Sequence, residues 1–224
     1  MVHKKLMIYN GNSAHSAQYT YKMIVSFEGG IGCGKSTVME KVKKHFEDNV
    51  DKKKCIITED VDVWKNEGWL DLYYKDTQRY ALGFQLRVLM SQHTMYSKMN
   101  RNHTNIVERC PLTNYHVFGK MLLNDGALHP LEYDLCDTIR ASFTWKPDRV
   151  IYLKASAETC MQRILRRSRD GEGSITMSYL KNMNTTYDDY IFNVLPKVYG
   201  ISPIIIDAEN DIDTVCQDII NVLP

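Results

Sequence analysis

The sequence lacks an excess of either charge, a clustered cysteine pattern and a long apolar run, and each absence excludes a class of protein. Lys and Arg number 28 against 27 Asp and Glu, so the net charge over 224 residues is only +1. A chain this close to neutral has no long-range field that would attract nucleic acid or an anionic membrane surface. We therefore expect neither as a partner, and any recognition of phosphate must be local.

The six cysteines are widely spaced and include no Cys-x-x-Cys pair. This spacing argues against a zinc site and a disulfide scaffold, and so indicates a reducing compartment. No apolar run approaches the length of a membrane span, and no hydrophobic secretory signal begins the chain. We expect a soluble, cytoplasmic protein. A mitochondrial leader is less favoured because residues 1–20 contain no arginine.

Length and composition favour one folded domain, since nothing marks a break between two. Residues 1–20 are polar and aperiodic, which predicts a flexible tail before a domain spanning 21–224. In that domain five β-rich runs alternate with helical segments, which favours an α/β fold with a five-stranded parallel sheet and helices on both faces. The strands are predicted at Met23–Phe27, Cys55–Thr58, Asn105–Cys110, Arg149–Leu153 and Pro203–Asp207, and the main helices at Thr37–Phe46, Thr77–Met99, Leu112–Leu123, Leu131–Phe143, Met177–Val194 and Asp211–Val222.

The most specific motif follows the first predicted strand and opens the first helix. It reads Gly29-Gly30-Ile31-Gly32-Cys33-Gly34-Lys35-Ser36 and fits G-x-x-x-x-G-K-[ST]. Glycines let backbone N–H groups turn inward, and the helix N-terminus adds partial positive charge, so a polyphosphate is the expected ligand. Lys35 would reach the terminal phosphates, and the hydroxyl of Ser36 would complete the coordination of a magnesium ion. The alternative is a glycine-rich turn without a ligand.

Charged side chains stand at the ends of the second and third predicted strands. Glu59 follows the second strand, and Glu108 with Arg109 closes the third. Ligands of open parallel sheets bind outside this edge, so we expect these residues to share a crevice with the phosphate loop. Glu108 would bind magnesium, and Arg109 would clamp phosphate oxygens or a hydroxyl being phosphorylated. An ordinary Glu-Arg surface pair is the alternative.

Two helices carry amides and aromatic rings at helical spacing. In the long helix Leu82, Leu86 and Leu89 predict a core face, while a second face holds Phe84, Gln85, Val88 and Gln92. That second face would suit a flat heteroaromatic ring, although the residues alone favour a half-exposed surface. The next helix repeats the pattern with Asn114 and Phe118 at i, i+4. Trp64 fits a core position and a crevice wall equally well.

Four arginines precede a glycine-containing segment in the second half of the chain. Arg163, Arg166 and Arg167 share one side of a predicted helix that begins near Ser156, and Arg169 follows them. Such a set would suit a lid that closes on a transferring phosphate. A basic patch on a solvated helix is the alternative.

Taken together, the phosphate loop, Thr58-Glu59, Trp64, Phe84-Gln85, Glu108-Arg109 and the arginine run with Glu172 resemble the deoxynucleoside kinase family over about residues 23 to 213. The resemblance implies a P-loop kinase fold with a five-stranded parallel sheet and an arginine-bearing lid, usually in a homodimer. It also implies ATP- and magnesium-dependent phosphorylation of the 5′-hydroxyl of a deoxynucleoside.

The resemblance assigns a role to each matching residue. It makes Glu59 the base that accepts the 5′-hydroxyl proton, and gives Glu108 and Arg109 the magnesium ion and the reacting oxygens. The donor would contact the loop from Gly29 through Ser36 and Thr37, with its phosphates bound by Arg163, Arg167 and Arg169. Tyr74 and Glu172 would hold the sugar 3′-hydroxyl, Gln85 would pair with the base edge, Phe84 and Phe118 would sandwich the base, and Trp64 and Val88 would line its pocket.

The chain departs from the family pattern at four positions. Cys110 replaces a serine and Asp60 a proline, and neither change removes a predicted catalytic group. Gln92 and Asn114 stand where purine-accepting members pair an arginine with an aspartate and pyrimidine-preferring members place methionine and alanine. Because the carboxylate is missing, pyrimidines are the favoured substrates.

Three rival functions fit part of the sequence. A nucleoside monophosphate kinase of the thymidylate kinase type shares Phe-Glu-Gly before the lysine, but its acceptor-phosphate site usually has an Asp-Arg pair, where this chain has Glu108-Arg109. A GTPase would need an Asn-Lys-x-Asp motif, which does not occur. A non-catalytic nucleotide-binding regulator would not need Glu59, Arg109 and the lid arginines together.

Overall fold

The structure, a computed structural model, describes residues 22–48, 53–143, 145–167 and 172–224. Within these ranges five parallel strands form one sheet in the order β2-β3-β1-β4-β5, as the alternating pattern predicts. The strands are β1 (Met23–Glu28), β2 (Lys54–Ile57), β3 (Thr104–Glu108), β4 (Arg149–Lys154) and β5 (Ile204–Asp207). The predicted tail, residues 1–20, lies outside the described residues.

Helices cover both faces of this sheet, and alternate residues of each central strand supply the two cores. In β1, Val25 packs with α-helical residues on one face while its neighbour Ile24 packs on the other. The helices are α1 (Lys35–Asp48), α2 (Val61–Asn66), α3 (Trp69–Lys75), α4 (Thr77–Lys98), α5 (Pro111–Thr113), α6 (Lys120–Asn124), α7 (Pro130–Ala141), α8 (Ala157–Arg167), α9 (Met177–Asp189) and α10 (Ile212–Val222), with a 3₁₀ turn at Glu172–Ser174.

Strand register brings the predicted site residues to one edge of the sheet. Phe27 of β1 pairs with Glu108 of β3, and Ile57 of β2 pairs with Val107. The carboxyl ends of three neighbouring strands therefore lie side by side, at the edge where parallel sheets bind ligands. None of the described helices is long and apolar enough to cross a membrane.

Two predicted helices prove to be irregular. The segment predicted as Leu112–Leu123 begins as α5, widens into a π-helix over Asn114–Gly119 and continues as α6. The helix predicted at Met177–Val194 continues past α9 as a π-helix over Tyr190–Tyr199. Pro196 lies inside this second segment. Proline has no N–H to donate, and in an α-helix its ring would clash with the carbonyl of the residue four positions earlier. The wider π turn accommodates it.

The predicted core face of α4 is wrong in part. Only Leu89 of the three leucines is buried, while Leu82 and Leu86 are partly exposed. The buried residues are instead Ala81, Phe84, Gln85, Val88, Leu89, Ser91, Gln92 and Met95. The face that the residues alone described as half-exposed is thus the buried one, because α2 and α3, which the sequence pattern did not predict, pack over it.

Candidate active site

The phosphate loop joins β1 to α1 and depends on glycine for its close packing. Gly32 has a φ of +83°, and a Cβ there would lie 2.6 Å from the carbonyl oxygen of Cys160 in α8. Any larger residue would therefore be strained and would clash. The amide of Val38 donates to the carbonyl of Gly34 in the first turn of α1. The N–H groups just before Val38 therefore lie at the helix N-terminus, where a phosphate in the loop could accept from them.

Lys35 is buried and folded back onto its own loop. Its Nζ donates to the carbonyl oxygens of Gly29, at 2.8 Å, and Gly30, at 2.9 Å. These bonds, with a longer contact to Sγ of Cys33 at 3.7 Å, hold an ammonium group within the cradle. Phosphate oxygens entering the cradle would offer the same cation a stronger, charge-assisted partner.

Arg163 lies behind the loop and connects three segments. One terminal nitrogen donates to the carbonyl of Cys33 at 2.9 Å, and the other donates to the carbonyl of Ala208 at 2.8 Å. A second hollow opens beside this arginine, between the loop and the start of α10, and is lined in part by Asn210, Ile212 and Val215. Arg166, Arg167 and Asp211 line it as well, so charged groups, an amide and aliphatic side chains lie together in this hollow.

Arg109 occupies the junction of the three strand ends in an unusual backbone conformation. Its φ is +59°, which for a residue with a side chain costs about 1–2 kcal/mol. Such strain often marks a functional position. Its amide donates to the carbonyl of Phe27 at 3.0 Å, so the turn is anchored to β1.

The Arg109 guanidinium meets four partners. It forms an ion pair with Glu59, donates to the hydroxyl of Tyr187 at 3.2 Å and to the carbonyl of Gly29 at 3.3 Å, and lies 5.0 Å from the ring centre of Phe118. The side chains of the ion pair are only 11% and 5% exposed. The Glu59–Arg109 pair is therefore enclosed. Glu108 is buried as well, at 5% exposure, so the alternative of a Glu108-Arg109 surface pair is excluded.

The environment of Glu59 suits a group that exchanges a proton near neutral pH. Burial raises the pKa of Glu59 to about 7, partly offset by the positive charge of Arg109 and reinforced by the nearby Glu108. A carboxylate with such a pKa can hold or release a proton under ordinary conditions, as a general base requires.

Ser36 and Glu108 lie together beside the loop. The Ser36 hydroxyl donates to Oε1 of Glu108 at 3.1 Å, and Oε2 of Glu108 accepts from the amide of Glu59 at 3.4 Å. Across the described ranges, no three His, Cys, Asp or Glu side chains gather into a metal site. One hydroxyl and one carboxylate nevertheless fit magnesium, which keeps several waters and takes its other ligands from substrate phosphates.

A deep cavity brings most of the predicted residues together. It runs from the phosphate loop to α4 and the first π-helix, and the predicted residues that line it are Ile31, Gly32, Gly34, Lys35, Ser36, Thr37, Glu59, Trp64, Tyr74, Phe84, Gln85, Val88, Glu108, Arg109, Asn114, Phe118 and Arg167. The loop and the amide-and-aromatic face therefore belong to one site, as the resemblance implies.

Aromatic rings build the far wall of this cavity. Trp64 and Phe84 meet edge to face with centres 5.7 Å apart, and Tyr73 packs on Phe84 at 4.8 Å. The indole N–H of Trp64 donates to the hydroxyl of Ser91 at 2.9 Å. Trp64 is thus buried in the core and also lines the cavity, so it occupies both of the positions that the sequence allowed.

The three amides of the predicted pocket have different positions. Gln85 and Asn114 are buried and line the cavity. Gln92, about two turns farther along α4, is also buried but does not line the cavity wall, and its Oε1 has no hydrogen-bond partner among the described residues. A role for Gln92 in contact with a ligand stays a prediction.

Some predicted residues cannot be placed, and some residues of the site were not predicted. Arg169 lies outside the described residues, as does the side chain of Glu172. Val61, Leu70, Tyr73 and Tyr179 line the cavity without having been singled out. The first three lie on α2 and α3, and only Tyr179 carried a signal, being in a tyrosine-rich helix.

Comparisons with known proteins show what the chain is similar to. The family model described as deoxynucleoside kinase matches residues 25–223. Protein 029R of Invertebrate iridescent virus 3 is 32% identical over 201 residues, which cover 89% of this chain and 95% of that protein. Human mitochondrial thymidine kinase 2 is 23% identical over 203 residues, covering 88% of this chain and 74% of that protein.

A solved structure has the same fold. It is a deoxyadenosine kinase from M. mycoides with the products dCMP and a flexible dCDP bound, and it superposes with a TM-score of 0.74 at 24% identity, covering 89% of this chain and 97% of that one. The family match spans nearly the whole described chain, including the phosphate loop, the Glu59–Arg109 junction and the cavity. The chain is therefore a kinase that belongs to the deoxynucleoside kinase family.

Proposed function

We propose that the protein transfers the γ-phosphate of ATP to the 5′-hydroxyl of a deoxynucleoside, for nucleotide salvage. The observation that carries this proposal is the Glu59–Arg109 pair, which stands between the phosphate loop and the aromatic cavity. A donor triphosphate in the loop and a nucleoside in the cavity would meet at this pair. The Glu59 carboxylate would accept the proton of the hydroxyl, and the Arg109 guanidinium would balance the charge on the phosphoryl group.

In the proposed reaction the 5′-oxygen forms a bond to the γ-phosphorus while the bond from that phosphorus to the bridging oxygen breaks. Glu59 accepts the hydroxyl proton, late in the step, because the alcohol becomes acidic only as its bond to phosphorus forms. Arg109 and Lys35 balance the charge on the phosphoryl oxygens. A magnesium ion held by Ser36 and Glu108 would neutralise charge on the donor phosphates.

The donor side of the proposal rests on the loop and the hollow beside Arg163. The hollow adjoins the cradle, with which it shares Gly32, Gly34 and Thr37, and would receive the nucleoside attached to the donor phosphates. Arg163, Arg167 and Arg169 would bind the phosphates once the donor is present. A related M. mycoides structure contains dATP, which supports a triphosphate as a ligand of this fold.

The acceptor side follows from the cavity wall. Gln85 would pair with the base edge, Phe84 and Phe118 would enclose the base, and Trp64 and Val88 would complete its pocket. Tyr74 and Glu172 would hold the 3′-hydroxyl. Relatives are named for thymidine and for deoxyadenosine alike. The neutral amides Gln92 and Asn114 support a pyrimidine preference because neither of these two positions supplies a carboxylate that could pair with a purine edge.

The proposal extends to assembly and location. Met90 of α4 and Leu131 and Leu135 of α7 are 54%, 71% and 46% exposed, and these two helices pack side by side. Exposed apolar residues on adjacent helices support a homodimer formed through this face.

The six cysteines are all unpaired, which supports a reducing location such as the cytoplasm. Residues 21–224 would form the kinase domain.

An ADP-release assay across the four deoxynucleosides and thymidine monophosphate tests the proposal. We expect release with at least one nucleoside, fastest with a pyrimidine, and negligible release with the monophosphate. Faster release with thymidine monophosphate would favour a thymidylate kinase type of reaction, with which the sequence Phe27-Glu28-Gly29 is also compatible. No release with any acceptor would contradict both reactions.

A further inference from the structure

The two π-helical segments contact each other directly behind the base pocket. Asn114–Gly119 carries two pocket residues, Asn114 and Phe118, on the side that faces the cavity. From the same turn His116 makes contacts to the second segment, Tyr190–Tyr199. The proposed function gives these side chains no role.

His116 touches both ends of the second segment. Its Nε2 and the hydroxyl of Tyr199 share a hydrogen bond of 2.7 Å, and its ring lies parallel to that of Tyr190, with centres 5.7 Å apart and 13° between the planes. Residues nine positions apart in an α-helix are about two and a half turns apart and face opposite sides. Because Tyr190 and Tyr199 both reach His116, the contact depends on the wider π geometry of their segment.

The first π-helical segment is also closely packed at its C-terminal end, around Gly119. In a π-helix the amide of residue i+5 pairs with the carbonyl of residue i, which sets Gly119 against the carbonyl of Asn114. A Cβ at Gly119 would lie 3.2 Å from that oxygen and 3.2 Å from the ring of Tyr133. The turn is therefore confined between Tyr133 on one side and the second π-helix on the other.

This confinement matters because the same segment could also adopt the commoner α-helical turn. Relaxing it to the commoner α geometry would shift the register by one residue, which rotates side chains by about 100° around the axis. Asn114 and Phe118, four residues apart, would still share one side of the helix, but that side would be turned relative to the cavity. Whatever stabilises the π turn therefore also aims these two pocket residues.

We propose that His116 and Tyr199 are positioning residues whose hydrogen bond, with the stack on Tyr190, holds the Asn114–Gly119 turn in the register that directs Asn114 and Phe118 at the nucleoside base. The proposal rests on the proposed function for the identity of the ligand. It makes binding of the nucleoside depend on two tyrosines that do not line the cavity.

Steady-state kinetics of Tyr199→Phe, His116→Phe and the double variant test this role. Losing one hydrogen bond should raise KM for the nucleoside by about three- to tenfold in each single variant. The KM for ATP and kcat should change by less than about twofold, since the phosphate loop is untouched. The double variant should be no worse than the more damaging single variant, because both remove the same bond.

Asn105→Ala provides the matched control. Asn105 is fully buried at the opposite end of β3, where its side chain bonds to the backbone of Asn100 and His103. This variant should lose stability without changing KM for the nucleoside. An equal rise in KM for Asn105→Ala, unchanged KM in both tyrosine and histidine variants, or strictly additive effects would overturn the proposed role.

Hydrogen exchange separates this proposal from the proposed function. If the wild type phosphorylates no nucleoside, the proposed function fails, yet exchange can still be measured in the ligand-free protein. We expect the amides of residues 114–119 to exchange faster in Tyr199→Phe than in the wild type, with those of β1 unchanged. Identical exchange over 114–119 would show that the bond does not hold the turn.

Discussion

The donor and acceptor halves of the site are built in different ways. The proposed donor half is built mainly from one continuous stretch, Gly29 to Thr37, which supplies the phosphate loop and Lys35, with arginines of α8 beside it. The proposed acceptor half combines side chains from four helices, α2, α3, α4 and α9, and a π turn, spread between Val61 and Tyr179. A local cradle can be recognised from its spacing, whereas an assembled pocket depends on how distant segments pack.

The largest effect is expected from breaking the donor half alone. Lys35→Ala should lower kcat by about a thousandfold, because it removes the buried ammonium group that the loop holds within the phosphate cradle. Nucleoside affinity, measured by calorimetry, should stay within about threefold of the wild type.

Lys41→Ala is the control for this variant, since Lys41 lies on the same helix and pairs with exposed Asp213. Its kcat should be unchanged. If Lys35→Ala kept a kcat close to that of the wild type, the comparison between a charged cradle and a side-chain pocket would be wrong.

Arg109→Lys tests the point where the halves join. Lysine keeps the charge but cannot contact Glu59, Tyr187 and the Gly29 carbonyl at once, so kcat should fall by about a hundredfold. Both KM values should rise as well, because Arg109 borders both halves. Arg79→Lys, which alters an exposed arginine lying over Tyr80, should leave all parameters unchanged. If KM rose for only one of the two substrates, Arg109 would not act at the junction of the two halves.

Gln85→Leu breaks the acceptor half alone. A leucine of similar size cannot hydrogen-bond to a base edge, so KM for the nucleoside should rise by about tenfold or more while KM for ATP stays constant. Gln78→Leu, on the exposed side of the same helix, is the control. Equal increases in both KM values would mean that Gln85 supports the fold rather than the base.

The pH dependence is the smallest expected effect. Since the pKa of Glu59 is raised to about 7, the proton-accepting form is lost as pH falls through that value. At pH values below it, kcat/KM for the nucleoside should decline by about tenfold per pH unit. A flat profile between pH 6 and 8, measured at constant ionic strength, would contradict the assignment of Glu59 as the group that must be ionised.

Sequence reasoning succeeded where the determinants are local or lie at strand ends. The motif Gly29–Ser36, its flanking strand and helix, and the acids following β2 and β3 were predicted from spacing and from the common edge of parallel strands. The register of β1, β2 and β3 bears out that these ends meet.

Sequence reasoning failed where packing decides the outcome. Leu82 and Leu86 match a core pattern on α4, but α2 and α3 cover the opposite face and bury Gln85 and Phe84 instead. The π turns also lack a periodic signal. The one beginning at Asn114 depends on contacts from Tyr133 and the second π-helix, which lie far away in sequence.

The most direct test of the account is the rate of phosphoryl transfer by Glu59→Gln with saturating ATP, magnesium and the preferred nucleoside. The variant keeps the size of the side chain but cannot accept a proton, so kcat should fall by about a hundredfold while nucleoside binding persists. Glu67→Gln, which alters the exposed Glu67–Arg87 ion pair, should retain wild-type turnover. If Glu59→Gln turns over the nucleoside at nearly the wild-type rate, Glu59 does not accept the proton and the central claim is wrong.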